Sequence, residues 1–160
     1  MTRLRSLTPV LLGLVLVGTI GCDRVTKRMA VQTLAGAPDR TFLGGTVRLG
    51  YAENSGGFLS LGTALPPAQR TAVFVVATGA ILAGAALALC RGALSGASLF
   101  GATLFLAGGT SNWIDRVLHG SVVDFLNLGI GSLRTGIFNV ADVAIMAGLV
   151  VVVLQARRLY

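Results

Sequence analysis

The chain has little charge for its length, and most of that charge is positive. Of 160 residues, 12% are charged and 54% are hydrophobic, and the mean hydropathy is +0.80. These values exclude a water-soluble globular domain and a disordered segment. The 13 Lys and Arg outnumber six acids, but they mostly flank apolar runs, whereas a nucleic-acid-binding face needs clustered cations. The composition therefore indicates a single integral membrane domain, with no nucleic-acid partner.

Cysteine and histidine are scarce as well. The sequence has two cysteines and one histidine, His119. Cys22 and Cys90 end predicted spans on opposite sides of the membrane, about 30 Å apart, so we expect no disulfide between them. These residues supply too few ligands for a zinc site. His119 also lacks a nucleophile in a matching context, which argues against Ser-His-Asp or Cys-His catalysis.

Four apolar stretches are long enough, at roughly 20 residues each, to cross a bilayer. They are Ser6–Cys22, Thr71–Cys90, Gly92–Ile114 and Thr135–Ala156. They predict an all-α membrane protein built as a four-transmembrane-helix bundle. Gly92-x-x-x-Gly96 is a spacing that lets helix backbones approach closely. The two ends carry basic residues and no acid, which favours cytoplasmic N and C termini, although eight of the 13 Lys and Arg fall in the outer segments.

The segment from Asp23 to Arg70 is too polar to enter lipid and too long for a tight turn. Thr46–Tyr51 alternates apolar and polar residues as a half-buried strand does, and glycine-rich turns flank it. We therefore expect a small extramembrane, β-containing piece between helices 1 and 2. Val117–Leu133, between spans three and four, is expected to lie at the membrane interface.

The N terminus also has features of a bacterial lipoprotein signal peptide. Arg3 and Arg5 precede an apolar stretch that ends in Thr19-Ile20-Gly21-Cys22. Processing at Cys22 would remove the first span. Residue 19 is Thr where Leu is usual, and a lipid-anchored protein has no need of three further spans. We expect the first span to be retained.

The placement of the acids is the most informative feature of the sequence. Asp142 lies within an apolar helix, where a carboxylate is costly and is normally kept for a function or a partner. It lies only about 6 Å deeper than Phe138, near one membrane surface, where Asp124 is expected to meet it. Two carboxylates in hydrogen-bonding reach do not both ionise easily. One can then activate a water while the other donates a proton, as in an aspartic protease.

The same acids are also compatible with a structural role or a transport role. Asp142 is alternatively a structural carboxylate paired with Arg116 or Arg134. Asp115 and Arg116 are expected to form a structural pair at the end of span three. Intramembrane carboxylates also serve as proton relays, so a small proton-coupled transporter or channel subunit is a rival. That rival predicts acids near mid-membrane on several spans, whereas here the acids cluster at one edge.

Five segments of the sequence resemble the lipoprotein signal peptidase (signal peptidase II) family of bacterial inner membranes. They are, in chain order, Asp23–Lys27, Asn54–Gly57, Asn112–Arg116, Val122–Phe125 and Phe138–Asp142. Their order and spacing cover nearly the whole chain, and the last three together are highly specific. The resemblance implies an aspartic endopeptidase that cuts a prolipoprotein immediately before a Cys bearing a diacylglyceryl group, with no metal or organic cofactor.

The resemblance also implies roles for individual residues. Asp124 and Asp142 would be the catalytic dyad, at the outer edge of the inner membrane. The residues that line or brace the site would be Asp23, Lys27, Asn54, Gly56, Asn112, Asp115, Arg116, Asn139 and Ala141. Lipidated prolipoproteins and membrane lipid are the implied partners, and we expect a monomer.

The sequence departs from the family pattern at Ser111, at Phe58-Leu59 and at Thr135-Gly136-Ile137. These departures affect the packing of span three, the outer segment and the approach to the last motif, and they leave the dyad intact. An inactive, lipoprotein-binding paralogue is therefore a third alternative, which the presence of both aspartates disfavours.

Overall fold

The computed structural model describes residues 2–57, 62 and 64–157, with side chains from residue 9 onward. Within these residues, four long helices run in the order α1 (Thr2–Leu34), α2 (Pro67–Cys90), α3 (Gly96–His119) and α4 (Val140–Ala156). Helix α2 contains a π-helical stretch, Ala72–Ala77. The strands described are β1 (Arg40–Phe42), β2 (Val47–Asn54), β3 (Val122–Ile130) and β4 (Leu133–Arg134), with a 3₁₀ turn at Leu43–Gly45.

The fold is mixed and not purely helical. In the described part of the chain, the strands form one antiparallel sheet in the order β1-β2-β3-β4. The expectation of four helices is confirmed, but the all-α class is wrong. The segment between α1 and α2 supplies only half of the sheet, and the other half comes from the segment between α3 and α4. Backbone groups of β2 need hydrogen-bond partners, and β3 supplies them.

Helix α1 extends well beyond the apolar run that predicts the first span. That run ends at Cys22, whereas the helix continues to Leu34, because no Gly or Pro interrupts the segment in between. About three helical turns therefore project past the apolar run, and they carry Asp23 and Lys27. By length and composition, Pro9–Leu34 and Pro67–Cys90 can each cross a membrane, and Val140–Ala156 is apolar but shorter.

Helices α3 and α4 approach each other closely near the start of α4. A methyl group added at Gly108 would collide with the backbone carbonyl of Ala141. A residue without a side chain is therefore required at this crossing. The close approach brings Asp142, in the first turn of α4, within hydrogen-bonding distance of Asn112 on α3.

A second close approach lies about two turns away from the first along both helices. A Cβ at Gly101 would lie 2.8 Å from the carbonyl oxygen of Gly148. The pair that the sequence indicated, Gly92 and Gly96, has open space within 4 Å at both positions. That expectation is wrong, because both glycines lie where the chain turns into α3, with positive φ angles of 68° and 55°.

The sheet brings its residues to one end of the helix bundle. In the register of β2 and β3, Ala52 lies opposite Asp124, and β2 contains most of the strand predicted from the alternation. Phe138 pairs with Leu126 just before α4 begins. The chain therefore passes directly from the sheet into α4, which places Asp124 beside the N-terminus of that helix.

Candidate active site

Asp23 and Lys27 lie one turn apart on α1, and both are buried. One oxygen of Asp23, Oδ2, lies 2.7 Å from Lys27 Nζ and accepts a 2.7 Å hydrogen bond from the Ser111 hydroxyl. The other, Oδ1, accepts from the backbone N–H of Ala141 at 2.9 Å. A carboxylate that is 0% exposed persists only when it is paired and hydrogen-bonded. Asp23 therefore joins α1 to both α3 and α4.

The ammonium group of Lys27 has as many partners as it has N–H donors. Its Nζ lies 2.7 Å from Asp23 Oδ2, from Asp115 Oδ2 and from Asn112 Oδ1. Arg24 binds the other oxygen of Asp115 at 2.8 Å. Two carboxylates and two cations thus form a charge-balanced cluster where α1 meets α3.

This cluster determines the orientation of the Asn112 side chain. A lysine ammonium can only donate, so the carbonyl oxygen of Asn112 must face Lys27 and the amide nitrogen must face away. The amide nitrogen donates to Oδ1 of Asp142 at 2.9 Å. Lys27 therefore acts on Asp142 through Asn112.

Asn139 caps α4 and links the two aspartates. Its Oδ1 accepts from the backbone N–H of Asp142 at 3.0 Å, and its own backbone N–H donates to Oδ2 of Asp142 at 3.2 Å. This reciprocal pair is a capping box. Because Oδ1 is occupied by a donor, the amide nitrogen points the other way and donates to Oδ1 of Asp124 at 2.6 Å. One asparagine thus contacts both carboxyl groups.

Asp124, on β3, is buried and accepts a hydrogen bond from a second side-chain amide, in addition to that of Asn139. Nδ2 of Asn54 donates to its Oδ2 at 3.0 Å. The Asn54 amide is oriented by the backbone N–H of Gly56, which donates to its Oδ1 at 3.0 Å. Burial raises the pKa of Asp124 above its ordinary value of 3.8, and the two amide donors and nearby cations offset this only in part.

Arg116 holds the turn that follows β2. Its Nε and Nη2 donate to the backbone carbonyl of Gly56 at 3.1 and 2.6 Å. Its guanidinium carbon lies 5.8 Å from the ring centroid of Phe74 on α2, a cation–π contact. The charge of Arg116 also interacts with Asp124 and Asp142. Arg116 therefore stabilises the turn and sets a positive charge near both carboxylates.

The structure joins every residue that the resemblance singled out into one connected site. The structural pair expected between Asp115 and Arg116 is wrong, because Asp115 binds Lys27 and Arg24 instead. The reason is geometric: Asp115 faces α1, whereas Arg116, one residue on, points toward the turn after β2.

The alternative partners of Asp142 are not found either. Arg134 donates to the backbone carbonyl of Gly45 and to Asn127, at the other end of the sheet. In the described part of the chain, the hydrogen-bond partners of Asp142 are Asn112 and Asn139. Asp142 is therefore held by amide donors and by its own helix cap.

Three residues of the site are outside the set predicted from the sequence. Ser111 is fully buried and donates to Asp23, and its hydroxyl within an apolar helix was a signal, because a buried hydroxyl needs a partner. Arg24 lies inside a motif segment and pairs with Asp115. Phe74 had no sequence signal, because its contact with Arg116 depends on how α2 packs.

The described residues contain no group of three or more His, Cys, Asp or Glu placed to hold a metal ion. Cys22 and Cys90 are free and exposed. What the site does offer is two carboxyl groups, each held by N–H donors, at the end of long apolar helices. Together, fold and site define a membrane-bound enzyme of the aspartic peptidase class.

Comparison with known proteins gives the family. The family model of signal peptidase (SPase) II matches residues 15–158. The lipoprotein signal peptidase of Desulforapulum autotrophicum is 34% identical over 149 residues, which cover 91% of this chain and 92% of that protein. That of Streptococcus pneumoniae is 29% identical over 139 residues, 87% of each chain. This chain belongs to the signal peptidase II family of aspartic peptidases, which cleave signal peptides from prolipoproteins.

Two solved structures, both of bacterial membrane enzymes studied by the in meso method, share the fold. The first has a TM-score of 0.79 at 24% identity and covers 92% of this chain and 88% of its own. The second has a TM-score of 0.72 at 25% identity and covers 91% and 92%. The fold is thus that of a bacterial membrane enzyme.

Proposed function

We propose that Asp124 and Asp142 are the catalytic pair of this peptidase. The substrate is a prolipoprotein whose cysteine carries a diacylglyceryl group, and the cut falls immediately before that cysteine. The strongest support comes from the hydrogen bonds of Asn139. Its side-chain amide nitrogen donates to the carboxyl group of Asp124, and its side-chain oxygen accepts from the backbone N–H of Asp142. It holds two carboxyl groups from separate elements at one place.

The chemistry is hydrolysis by a pair that shares one proton. The ionised carboxylate takes a proton from water as the water oxygen attacks the scissile carbonyl carbon, and the neutral carboxyl donates its proton to the carbonyl oxygen. When the intermediate collapses, the C–N bond breaks and the amine leaves with the proton taken from water. The hydroxyl formed at the carbonyl returns its proton to the other carboxylate, which restores the pair.

The surroundings of the two aspartates support a pair in which one carboxyl group is ionised and the other is neutral. Burial raises the pKa of Asp124, so a proton is retained more readily than on a free aspartate. Asp124 is only 3% exposed, whereas Asp142 is partly accessible. The positive charge of Arg116 acts in the opposite direction, because it lowers the pKa of Asp124 and so favours its ionised form.

The other residues of the site position these groups. Lys27, through Asn112, fixes the amide that donates to Asp142, and Asp23 holds Lys27 and the backbone of Ala141. Asn54, Gly56 and Arg116 fix the turn that presents an amide to Asp124. Asp115 supplies part of the counter-charge of Lys27. None of these roles requires a metal or a cofactor.

The same proposal places the pair at the outer edge of the bacterial inner membrane, with cytoplasmic N and C termini. Asp142 is the third residue of α4, so it lies at the end of the helix that meets the sheet. The projecting turns of α1 and the whole sheet lie at this end, as expected for the outer side. A monomer contains every group that the mechanism uses.

The test compares cleavage of a diacylglyceryl-modified prolipoprotein with cleavage of its unlipidated precursor by protein purified in detergent. We expect only the lipidated form to be cut. Asp124→Asn and Asp142→Asn should each lower turnover by about a thousandfold or more, because removing one member of a catalytic unit costs nearly as much activity as removing all of them. Asp39→Asn, at an exposed acid outside the site, is the matched control.

Each contrary result has a definite meaning. Near-normal turnover by either folded site variant refutes the catalytic pair. Cleavage of the unlipidated precursor refutes the substrate. Binding without cleavage by the folded wild-type protein would identify an inactive paralogue.

A further inference from the structure

A cavity lies beside the proposed catalytic pair. It is a cleft of about 830 Å³ between the projecting turns of α1, the strands β2 and β3, and the end of α3. Arg24, Arg28, Met29, Tyr51 and His119 are among its lining residues. The two aspartates do not line it, because on β3 it is Val123, with its side chain on the opposite face from Asp124, that borders the cleft.

The position of the cleft along α1 matches the depth of lipid headgroups. The apolar run ends at Cys22, so Arg24 and Arg28 lie about 3 and 9 Å beyond it along the helix. The headgroup layer occupies roughly the first 5–7 Å outside the hydrocarbon core, so a phosphate held midway between the two arginines, about 6 Å beyond the run, lies within that layer. At the mouth of the cleft, Val25 and Met29 are 59% and 57% exposed. Apolar surface therefore continues from the membrane span into the cleft.

One cation of the cleft, Arg28, lies outside the buried charge cluster. Of the two acids that line the cleft, Asp115 binds Lys27 and Arg24, whereas Glu53 accepts hydrogen bonds from the hydroxyls of Tyr51 and Ser121 and keeps its negative charge. Arg28 lies one turn after Arg24 and is exposed, and it forms no ion pair with the part of the chain that is described. An anion entering the cleft would therefore meet an unneutralised guanidinium.

From this combination we propose that the cleft binds the headgroup of an anionic phospholipid. Its phosphate lies between Arg28 and the nitrogens of Arg24 that do not contact Asp115, and its acyl chains follow Val25 toward the membrane. Arginine suits this role because its planar fork binds phosphate oxygens in pairs. A zwitterionic lipid is disfavoured, because it brings an ammonium group next to Arg28.

This proposal goes beyond the catalytic assignment and does not depend on it. The diacylglyceryl group of the proposed substrate carries no phosphate, so its recognition needs no arginine. The proposal is therefore tested by binding alone, without a cleavage assay, and its failure would leave Asp124 and Asp142 untouched.

The experiment measures lipid retention by native mass spectrometry of the detergent-purified full chain. The probes are phosphatidylglycerol and phosphatidylcholine with identical acyl chains, and glycerol 3-phosphate as a competitor. We expect phosphatidylglycerol to be retained about tenfold more than phosphatidylcholine. Arg28→Gln should lower that retention about tenfold, the effect of one charge-assisted contact. Met29→Glu, which puts an acid at the mouth, should remove the preference.

Arg40→Gln is the control, because Arg40 is also an exposed arginine of the outer segment but does not line the cleft. Thermal unfolding of each variant checks the fold, and both substituted arginines are exposed. Equal retention of the two lipids refutes the proposal. So does an equal loss in Arg40→Gln, which would indicate general surface attraction, and so does displacement by glycerol 3-phosphate, which would indicate a site for free phosphate esters.

Discussion

Substituting Lys27 by Met tests the connection between the buried charge cluster and the proposed catalytic pair. Lys27 is 5% exposed, and its ammonium group contacts Asp23, Asp115 and Asn112 at once. Met keeps the apolar stem but leaves Asp23 without a cation. Breaking a buried ion pair in this way costs about 3–5 kcal/mol. Lys27→Met should therefore lower the free energy of unfolding by that amount.

A second substitution separates the charge effect from lost packing. In Lys27→Met with Asp23→Asn, the unpaired carboxylate is removed while Asp115 keeps Arg24. The double variant should therefore be more stable than Lys27→Met alone, although each change removes native contacts. This non-additivity is what a double-mutant cycle measures.

The assay is unfolding in mixed micelles of increasing SDS content, followed by far-ultraviolet circular dichroism, with cleavage kinetics alongside. Once Lys27 no longer orients Asn112, Asp142 loses a fixed donor, so kcat should fall at least about tenfold while KM changes little. A loss below about 1 kcal/mol with unchanged kcat would refute the reasoning. A double variant less stable than Lys27→Met would also refute it.

Two further predictions concern the raised pKa of Asp124 and the crossing of α3 and α4 at Gly108. Because burial raises the pKa of Asp124, its protonated form stabilises the fold below the ordinary pKa of 3.8, and that contribution is lost as pH rises through the higher folded-state pKa. The stability of the wild type relative to Asp124→Ala should therefore decrease from pH 4 to pH 7 in thermal unfolding, and a pH-independent difference would contradict this. Gly108→Ala should destabilise by about 1–3 kcal/mol and lower turnover, because its methyl group meets the Ala141 carbonyl. Gly84→Ala, with open space around it, should be neutral or slightly stabilising, and equal effects of the two substitutions would disprove the crossing argument.

Sequence reasoning failed where the outcome depended on distant partners. Residues 122–134 show no clean alternation, and they become strands because β2 needs a neighbour to satisfy its backbone. Gly92 and Gly96 have the spacing of a helix contact, but the crossing uses Gly108 instead. Spacing along one helix does not specify which face meets another helix.

The sequence by itself determined the membrane class and the four helices, and it predicted Asp124 and Asp142 as the pair that is now proposed to be catalytic. These follow from apolar run length and from the cost of a carboxylate beside lipid, and both are properties of short segments. Tertiary structure decided which group each charge contacts. Asp23 binds the backbone of Ala141 from 118 residues away, and Asp115 binds Lys27 and not its neighbour Arg116. Such pairings depend on side-chain direction and on helix packing, and both are fixed only when the chain folds.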